Sequence, residues 1–208
     1  MNKKGRTVNL ELTTRCTLAC PRCFRTMYPE VFDVQDMNLS VVDRITDRVD
    51  LDSVSLCGTY GDPIYHRKFH DAAEIMVGKG LNVFIATNGS YRNIDWWADT
   101  VGLLKQTESI ITFSIDGLED TNPIYRVNSR WEDIEAAARY CAPRIDTRWK
   151  FIVFSHNQHQ IDDARIMAEQ WGVKFQLVHS QRFGSLYGYR WDEDPMKPDE
   201  KYVHRRNY

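Results

Sequence analysis

The sequence predicts an α/β fold in which parallel strands form an open, partial (β/α)6 barrel, followed by a short irregular C-terminal tail. Short runs rich in β-branched and aromatic residues alternate about six times with longer segments whose apolar residues recur at helical spacing. Such alternation is typical of parallel strands joined by right-handed helical crossovers. These units occupy residues 8–180, whereas a closed eight-stranded barrel of the TIM type takes about 250 residues. We therefore expect a TIM-like barrel that is not closed.

The six predicted strands are short and rich in Val, Ile, Phe and Leu. The first, "VNLEL", alternates apolar and polar residues, and the later ones are more continuously apolar, as strands buried on both faces are. In chain order they are expected at 8–12, 53–57, 82–87, 109–116, 148–155 and 174–180.

The predicted helices follow the strands and show apolar residues at a spacing of three and four. They are expected at 39–50, 68–80, 94–106, 129–141 and 159–172. Polar residues that suit an N-cap stand at the start of two of them, Asn38 or Ser40 and Asn93 or Asp95. The stretch after the last strand has two prolines, many Tyr, Arg and Asp residues and little periodicity. We accordingly divide the chain into a barrel domain, 1–180, and a tail that wraps the barrel or leads elsewhere, 181–208.

The composition argues against a nucleic-acid-binding, a membrane-spanning and a secreted protein. With 27 Lys and Arg against 29 Asp and Glu, the net charge is −2, so no general attraction to nucleic acid or anionic membrane is expected. No apolar run approaches the roughly 20 residues of a membrane span, and the N-terminal stretch lacks the apolar core of a secretory signal. Five cysteines without such a signal favour a reducing cytoplasm, where clustered cysteines bind metals or react as thiols.

Three of the five cysteines lie within eight residues, directly after the first predicted strand. They are Cys16, Cys20 and Cys23, in C-x3-C-x2-C spacing. Loops after the carboxyl ends of strands carry the active sites of parallel barrels. Three buried thiols do not suit a segment rich in charge and proline, and a structural zinc needs a fourth ligand from elsewhere. A [4Fe–4S] cluster takes thiolates as ligands, and three of them leave one iron open to a small molecule.

The stretch "CTLACPRC" resembles the signature of the radical S-adenosylmethionine (SAM) enzymes. The resemblance implies that the three cysteines bind a [4Fe–4S] cluster whose open iron is chelated by the amino and carboxylate groups of SAM. It also implies reductive cleavage of SAM to a 5′-deoxyadenosyl radical, which abstracts hydrogen from a substrate, and a one-electron donor such as flavodoxin or ferredoxin. One departure is visible, because the residue before the third cysteine is often aromatic in this family and here is Arg22.

Motifs after the second and fourth strands extend the resemblance. "YGDP" resembles the family's Gly-Gly-Glu-Pro motif, which implies that Gly61, Asp62 and Pro63 hold the SAM ammonium, with the backbone favoured because Asp replaces the commoner Glu. "SIDG" resembles the ribose motif of the fourth strand and implies that Ser114 and Asp116, two apart and so on one face, contact ribose. Each motif alone is also typical of an ordinary turn.

Further candidates follow the fourth, third, fifth and sixth strands. The resemblance implies that Arg126 grips the SAM carboxylate, with Arg130 as its rival. The remaining candidates for the cofactor or substrate pocket are Thr87, Asn88, Val153, His156, Asn157, His179, Ser180 and Gln181. The other two cysteines, Cys57 and Cys141, are expected to be small buried residues and not ligands.

The sequence thus predicts a cytoplasmic radical SAM iron–sulfur enzyme. Its motifs are closest to members with a SPASM or twitch extension, but no cysteine follows Cys141, so auxiliary clusters are not expected. Those relatives often modify peptides, which makes a peptide the first expected substrate and a nucleoside or small metabolite the alternative. A metal-binding module without turnover and a retired barrel that binds a partner protein remain open at this point.

Overall fold

The computed structural model describes residues 5–48, 50–180 and 183–203, and within them six strands form one parallel sheet. The strands follow the order of the chain, so that β1 and β6 lie at the two edges of an unclosed sheet. This confirms the α/β prediction and the partial barrel. Their bounds are β1 Thr7–Asn9, β2 Ser53–Leu56, β3 Asn82–Thr87, β4 Ile110–Ser114, β5 Asp146–Val153 and β6 Lys174–His179.

Helices alternate with the strands as predicted. Their bounds are α1 Phe24–Met27, α2 Leu39–Arg48, α3 Phe69–Gly78, α4 Ile94–Leu104, α5 Asn122–Tyr125, α6 Trp131–Cys141 and α7 Ile161–Trp171. The two helices that the sequence did not predict, α1 and α5, have four residues each, too few to show a period. Asn93 caps α4, since its side chain accepts a hydrogen bond from Trp96 N at 3.0 Å. None of the helices within the described ranges is long and apolar enough to cross a membrane.

The hydrophobic core lies between one face of the sheet and the helices. On β3, Val83 and Ile85 are buried in this core, whereas Phe84 and Ala86 on the opposite face are only half-buried. Burial of such a side chain contributes about 1.5–3 kcal/mol. In a closed barrel the opposite face would be filled by side chains. Here it stays accessible, which leaves room for a site at the carboxyl ends of the strands.

The described part of the tail, 183–203, consists of short 3-10 turns and irregular backbone that pack on the barrel. Met196 O accepts a hydrogen bond from Ser155 N at 3.1 Å. Asp199 N donates to the side chain of Gln158 at 2.8 Å. Both contacts are with the loop after β5, so the tail crosses the carboxyl end of the sheet, where the predicted site lies.

Candidate functional site

The three clustered cysteines line one cleft at the carboxyl ends of the strands. The cleft holds about 860 Å³ of empty space, including the part open to solvent. Cys20 is buried, Cys16 and Cys23 are half-buried, and all three are free thiols. The loop that bears them is tightly turned, because Cys23 N donates to Cys20 O at 3.1 Å and α1 begins directly after Cys23.

The thiols of this loop are surrounded by donors. Leu18 N donates to Cys16 Sγ at 3.4 Å, and Asn88 Nδ2 lies 3.7 Å from the same sulfur. Arg126 Nη1 lies 4.0 Å from Cys20 Sγ. Such contacts favour a negatively charged sulfur, although burial raises the pKa of Cys16 to about 12 and also raises that of Cys20. Burial thus favours the protonated thiols of Cys16 and Cys20, and a metal that binds these sulfurs must displace their protons.

This donor set fits a [4Fe–4S] cluster. Thiolates are the usual ligands of such clusters, and the three thiols border one cleft. Among the described residues, no three His, Cys, Asp or Glu side chains are grouped closely enough to hold a single metal ion. A cluster does not need that convergence, because each thiolate binds a different iron.

The loop after β2 approaches the cysteine segment very closely. A Cβ atom on Gly61 would lie 2.1 Å from Thr13 O, so only glycine fits at this position. Asp62 N donates to Arg15 O at 2.8 Å, which joins the two segments. The carboxylate of Glu11 accepts a hydrogen bond from Thr59 N at 2.8 Å, which is a second contact of the loop after β2 with this segment. Gly61 and Asp62 of the predicted motif therefore line the cleft together with the cysteine loop, whereas Pro63 does not.

Asp62 is buried and binds the protein itself. Its carboxylate accepts hydrogen bonds from Thr87 Oγ1 at 3.0 Å, from Asn88 N at 2.6 Å and from Ile64 N at 3.3 Å. Burial raises the pKa of Asp62 to about 6, although these hydrogen bonds lower it. Pro63 is also buried and starts a 3-10 turn. The side chain of Asp62 thus joins the ends of β2 and β3, and leaves the backbone of this loop to face a ligand.

The structure separates the two residues of the "SIDG" motif. Ser114 ends β4 and lines the cleft. Asp116 is fully buried beyond the strand end, where it accepts hydrogen bonds from Arg126 Nε at 2.7 Å and from Ile152 N at 2.8 Å. Asp116 does not line the cleft beside Ser114, because its carboxylate is bound by Arg126 and by the backbone of Ile152. Asp116 holds Arg126, and its charge raises the pKa of that guanidinium against the effect of burial.

Of the two candidate arginines, Arg126 lines the cleft and Arg130 does not. Arg130 lies at the start of α6 and pairs at 3.4 Å with Asp133. Asn157 is fully buried, and its amide donates to Asp116 O and Ile152 O, both at 2.9 Å. Asn157 therefore shapes the turn after β5 and leaves the cleft to other residues.

A comparison with family models decides the family. The model of the radical SAM superfamily matches residues 10–166, which is most of the chain and includes the three cysteines and Arg126. The chain belongs to the radical SAM superfamily. Members of this superfamily use a [4Fe–4S] cluster and SAM. A comparison with curated proteins finds no match.

Solved structures of radical SAM proteins share the fold. Streptococcus suis SuiB bound to SAM aligns with a TM-score of 0.68 and 17% identity, over 93% of this chain and 43% of SuiB. Methylornithine synthase (PylB) aligns with a TM-score of 0.64 and 14% identity, over 92% of this chain and 58% of PylB. TYW1 with a lysine–pyruvate adduct aligns with a TM-score of 0.56 and 14% identity, over 86% of this chain and 65% of TYW1. The chain thus spans between about two fifths and two thirds of these structures.

Among the residues of this radical SAM barrel that line the cleft without having been predicted as site residues are two cations and a thiol. Lys150 on β5 pairs in register with Ser114, and a cation inside the apolar run 148–155 was the signal for it. Arg25 lines the cleft and donates through Nη2 to Leu18 O, and its buried Nε has no hydrogen-bond partner among the residues described. Cys57 is exposed in the cleft, so the prediction that it is buried was wrong.

The position of Cys57 follows from strand parity. Val54 and Leu56 of β2 point into the core, so Ser55 and Cys57 point to the accessible face. Cys141, in contrast, is buried as predicted.

The remaining candidates that the structure describes do not line the cleft. Val153 is buried in the core, and His156 stacks on Phe154 with ring centroids 5.5 Å apart. His179 is exposed and packs edge-on against Tyr202 of the tail. Ser180 is buried, and Gln181 lies outside the described residues.

Proposed function

We propose that this radical SAM protein is an enzyme that binds a [4Fe–4S] cluster through Cys16, Cys20 and Cys23 and acts on a peptide. The observation that carries the proposal is the set of three free thiols that border one cleft, all on the loop that follows the first strand of an open parallel barrel. When bound and reduced, the cluster supplies the electron that cleaves SAM to methionine and a 5′-deoxyadenosyl radical, which takes a hydrogen atom from substrate. The chain's own residues bind and orient the groups for that step.

The amino and carboxylate groups of SAM would find complementary partners in the cleft. Backbone carbonyls of the loop at Gly61 suit an ammonium, and Gly61 brings this loop against the cysteine segment because its missing side chain lets it pack on Thr13. The guanidinium of Arg126 suits the carboxylate, since Asp116 fixes its Nε and leaves its terminal nitrogens directed towards Cys20. Arg25 and Lys150 add two cations to the same cleft.

The ribose and adenine would lie along the ends of β4 and β5. The hydroxyl of Ser114 borders the cleft at the end of β4 and suits a ribose hydroxyl. Asp116 and Asn157 are fully buried and would not contact SAM themselves. Asp116 positions Arg126, and Asn157 positions the backbone through its hydrogen bond to Asp116 O. Asn88 donates to Cys16 and takes its own position from Asp62, so it connects the two loops at the cluster.

A peptide substrate is supported by the open side of the barrel and by one structural neighbour. The sheet is not closed between β1 and β6, and a long substrate needs such an open side. SuiB, whose fold this chain shares, has been solved with its precursor peptide SuiA, with a TM-score of 0.67 and 16% identity over 83% of this chain and 38% of SuiB.

We also propose that a flavodoxin or ferredoxin supplies the electron.

Anaerobic reconstitution with iron and sulfide tests the metal site. We expect about four irons per chain and the visible absorbance of a cluster in the wild-type protein. A triple variant, Cys16→Ala/Cys20→Ala/Cys23→Ala, should bind none, and Cys141→Ala is the matched control because this cysteine is buried outside the cleft in α6. Tightly bound zinc without iron would overturn the proposal in favour of a metal-binding module.

A further inference from the structure

The most deeply buried ion pair of the described residues lies beside the cysteine loop and has no role in the function proposed above. Arg22, between Cys20 and Cys23, is 4% exposed, and Asp194 of the tail is 5% exposed. Arg22 Nη1 donates to Asp194 Oδ2 at 2.8 Å, and Nη2 donates to Oδ1, so that the pair is bidentate. The two residues are 172 positions apart in the chain.

Both residues of the pair make further contacts with the tail. Asp194 also accepts hydrogen bonds from Gly184 N at 2.8 Å and Met196 N at 2.9 Å, which fold the tail around its carboxylate. The guanidinium of Arg22 lies 4.7 Å from the ring centroid of Tyr187 and 5.8 Å from that of Phe183. These contacts satisfy the charge within the protein.

The same part of the tail covers the cysteines. Phe183 belongs to an apolar cluster with Leu18 and Cys20, and Met196 and Cys23 pack against it. The tail thus contacts the cysteine loop through an apolar surface and through the ion pair. Arg22 is the link, because its backbone lies inside the turn in which Cys23 N donates to Cys20 O.

A buried ion pair is an inefficient way to add stability, since desolvation costs about as much as the attraction returns. Its best-attested use is to specify one arrangement among several. We propose that Asp194 and Arg22 are positioning residues, through which the tail segment 183–203 fixes the cysteine loop in the arrangement that holds the cluster. The inference rests on the cluster proposed for Cys16, Cys20 and Cys23 and deepens that proposal.

Positioning requires that the tail and the cluster stabilise each other, because coupling between two sites is reciprocal. Hydrogen exchange of the wild-type protein, with and without reconstituted cluster, measures this directly. We expect the amides of Gly184 and Met196, which donate to Asp194, to exchange several-fold more slowly when the cluster is bound. Amides of β5 near Asp146, at the opposite end of the strand, should not change.

Two variants test the ion pair. Asp194→Asn leaves a buried guanidinium uncompensated, and we expect the reconstituted cluster to lose iron to a chelator about ten- to a hundredfold faster, the range typical for lost supporting contacts of metal ligands. Its reduction potential should rise, because an unpaired positive charge favours the reduced cluster. The double variant Arg22→Met/Asp194→Asn contains no unpaired charge, so it should fold, keep the wild-type potential and still lose iron faster. Asp146→Asn, which removes ion pairs with Arg148 and Lys174 far from the cysteines, is the matched control.

The outcomes separate this inference from the proposed function. Failure of the wild-type protein to form a cluster would overturn the proposed function, and this inference with it. A wild-type cluster with unchanged exchange at Gly184 and Met196, or a double variant that keeps iron as the wild type does, would overturn the positioning role alone. If Asp194→Asn does not fold, the exchange measurement on the wild-type protein and the double variant still test the positioning role.

Discussion

Gly61 offers the sharpest single-residue test of the cleft geometry. In Gly61→Ala the new methyl carbon would lie 2.1 Å from Thr13 O and 2.8 Å from the carbonyl carbons of Thr13 and Thr14. A carbon and an oxygen that are not bonded stay about 3.3 Å apart, so the two loops must separate by about 1 Å. Overpacking of this kind costs about 1–3 kcal/mol of unfolding free energy. A displacement of about 1 Å at a reacting centre can cost about a hundredfold in rate.

The matched control is Gly102→Ala in α4, where a Cβ meets no atom within 4 Å. We expect this control to gain up to about 1 kcal/mol, since alanine is the better helix former, and to cleave SAM as the wild type does. Urea unfolding and anaerobic 5′-deoxyadenosine formation should be measured for both variants. If Gly61→Ala binds and cleaves SAM like the control, the close approach of the two loops does not shape the SAM site.

Two further predictions concern buried carboxylates. Burial raises the pKa of Asp62 from 3.8 to about 6, so the folded protein binds this proton more tightly than the unfolded chain. The resulting stability is fully present below about pH 4 and is lost as the pH rises through about 6, by up to about 3 kcal/mol. Urea unfolding across this window should show the loss in the wild type and not in Asp62→Asn, and parallel pH profiles would contradict it. Asp116→Asn should lower the unfolding free energy by about 3 kcal/mol, because it leaves the half-buried Arg126 without its counter-charge. Glu135→Gln removes an exposed ion pair with Arg139 and should cost less than about 1 kcal/mol, and equal losses in the two variants would refute the role given to Asp116.

The strands could be predicted from the sequence because the residues that face the helices must be apolar and buried. Val83 and Ile85 on β3 fill the core, and a pattern of that kind fixes which residues face the site. The same alternation places Cys57 on the accessible face with Ser55, and here it outweighs the general tendency of cysteines to be buried. The cysteine spacing predicted the chemistry because three thiols in one loop suit few other uses.

Details of the site depend on where elements end, which periodicity does not determine. Asp116 was expected to contact ribose together with Ser114, but β4 ends at Ser114 and the carboxylate of Asp116 binds Arg126 instead. Its pairing with Arg126 is a contact between two loops, and no local pattern encodes it. The pairing of Arg22 with Asp194 is more distant still in the sequence. Such contacts arise from tertiary packing and are visible only in the folded chain.

The central claim is that Cys16, Cys20 and Cys23 hold a cluster that cleaves SAM. The most direct measurement is 5′-deoxyadenosine formed after anaerobic reconstitution, with dithionite as reductant and SAM as the only other reactant. We predict deoxyadenosine from the wild-type protein and from Cys141→Ala, and none from the triple cysteine variant. Deoxyadenosine at the same rate from the triple variant, or none from a wild-type protein that holds its four-iron cluster, would contradict the account.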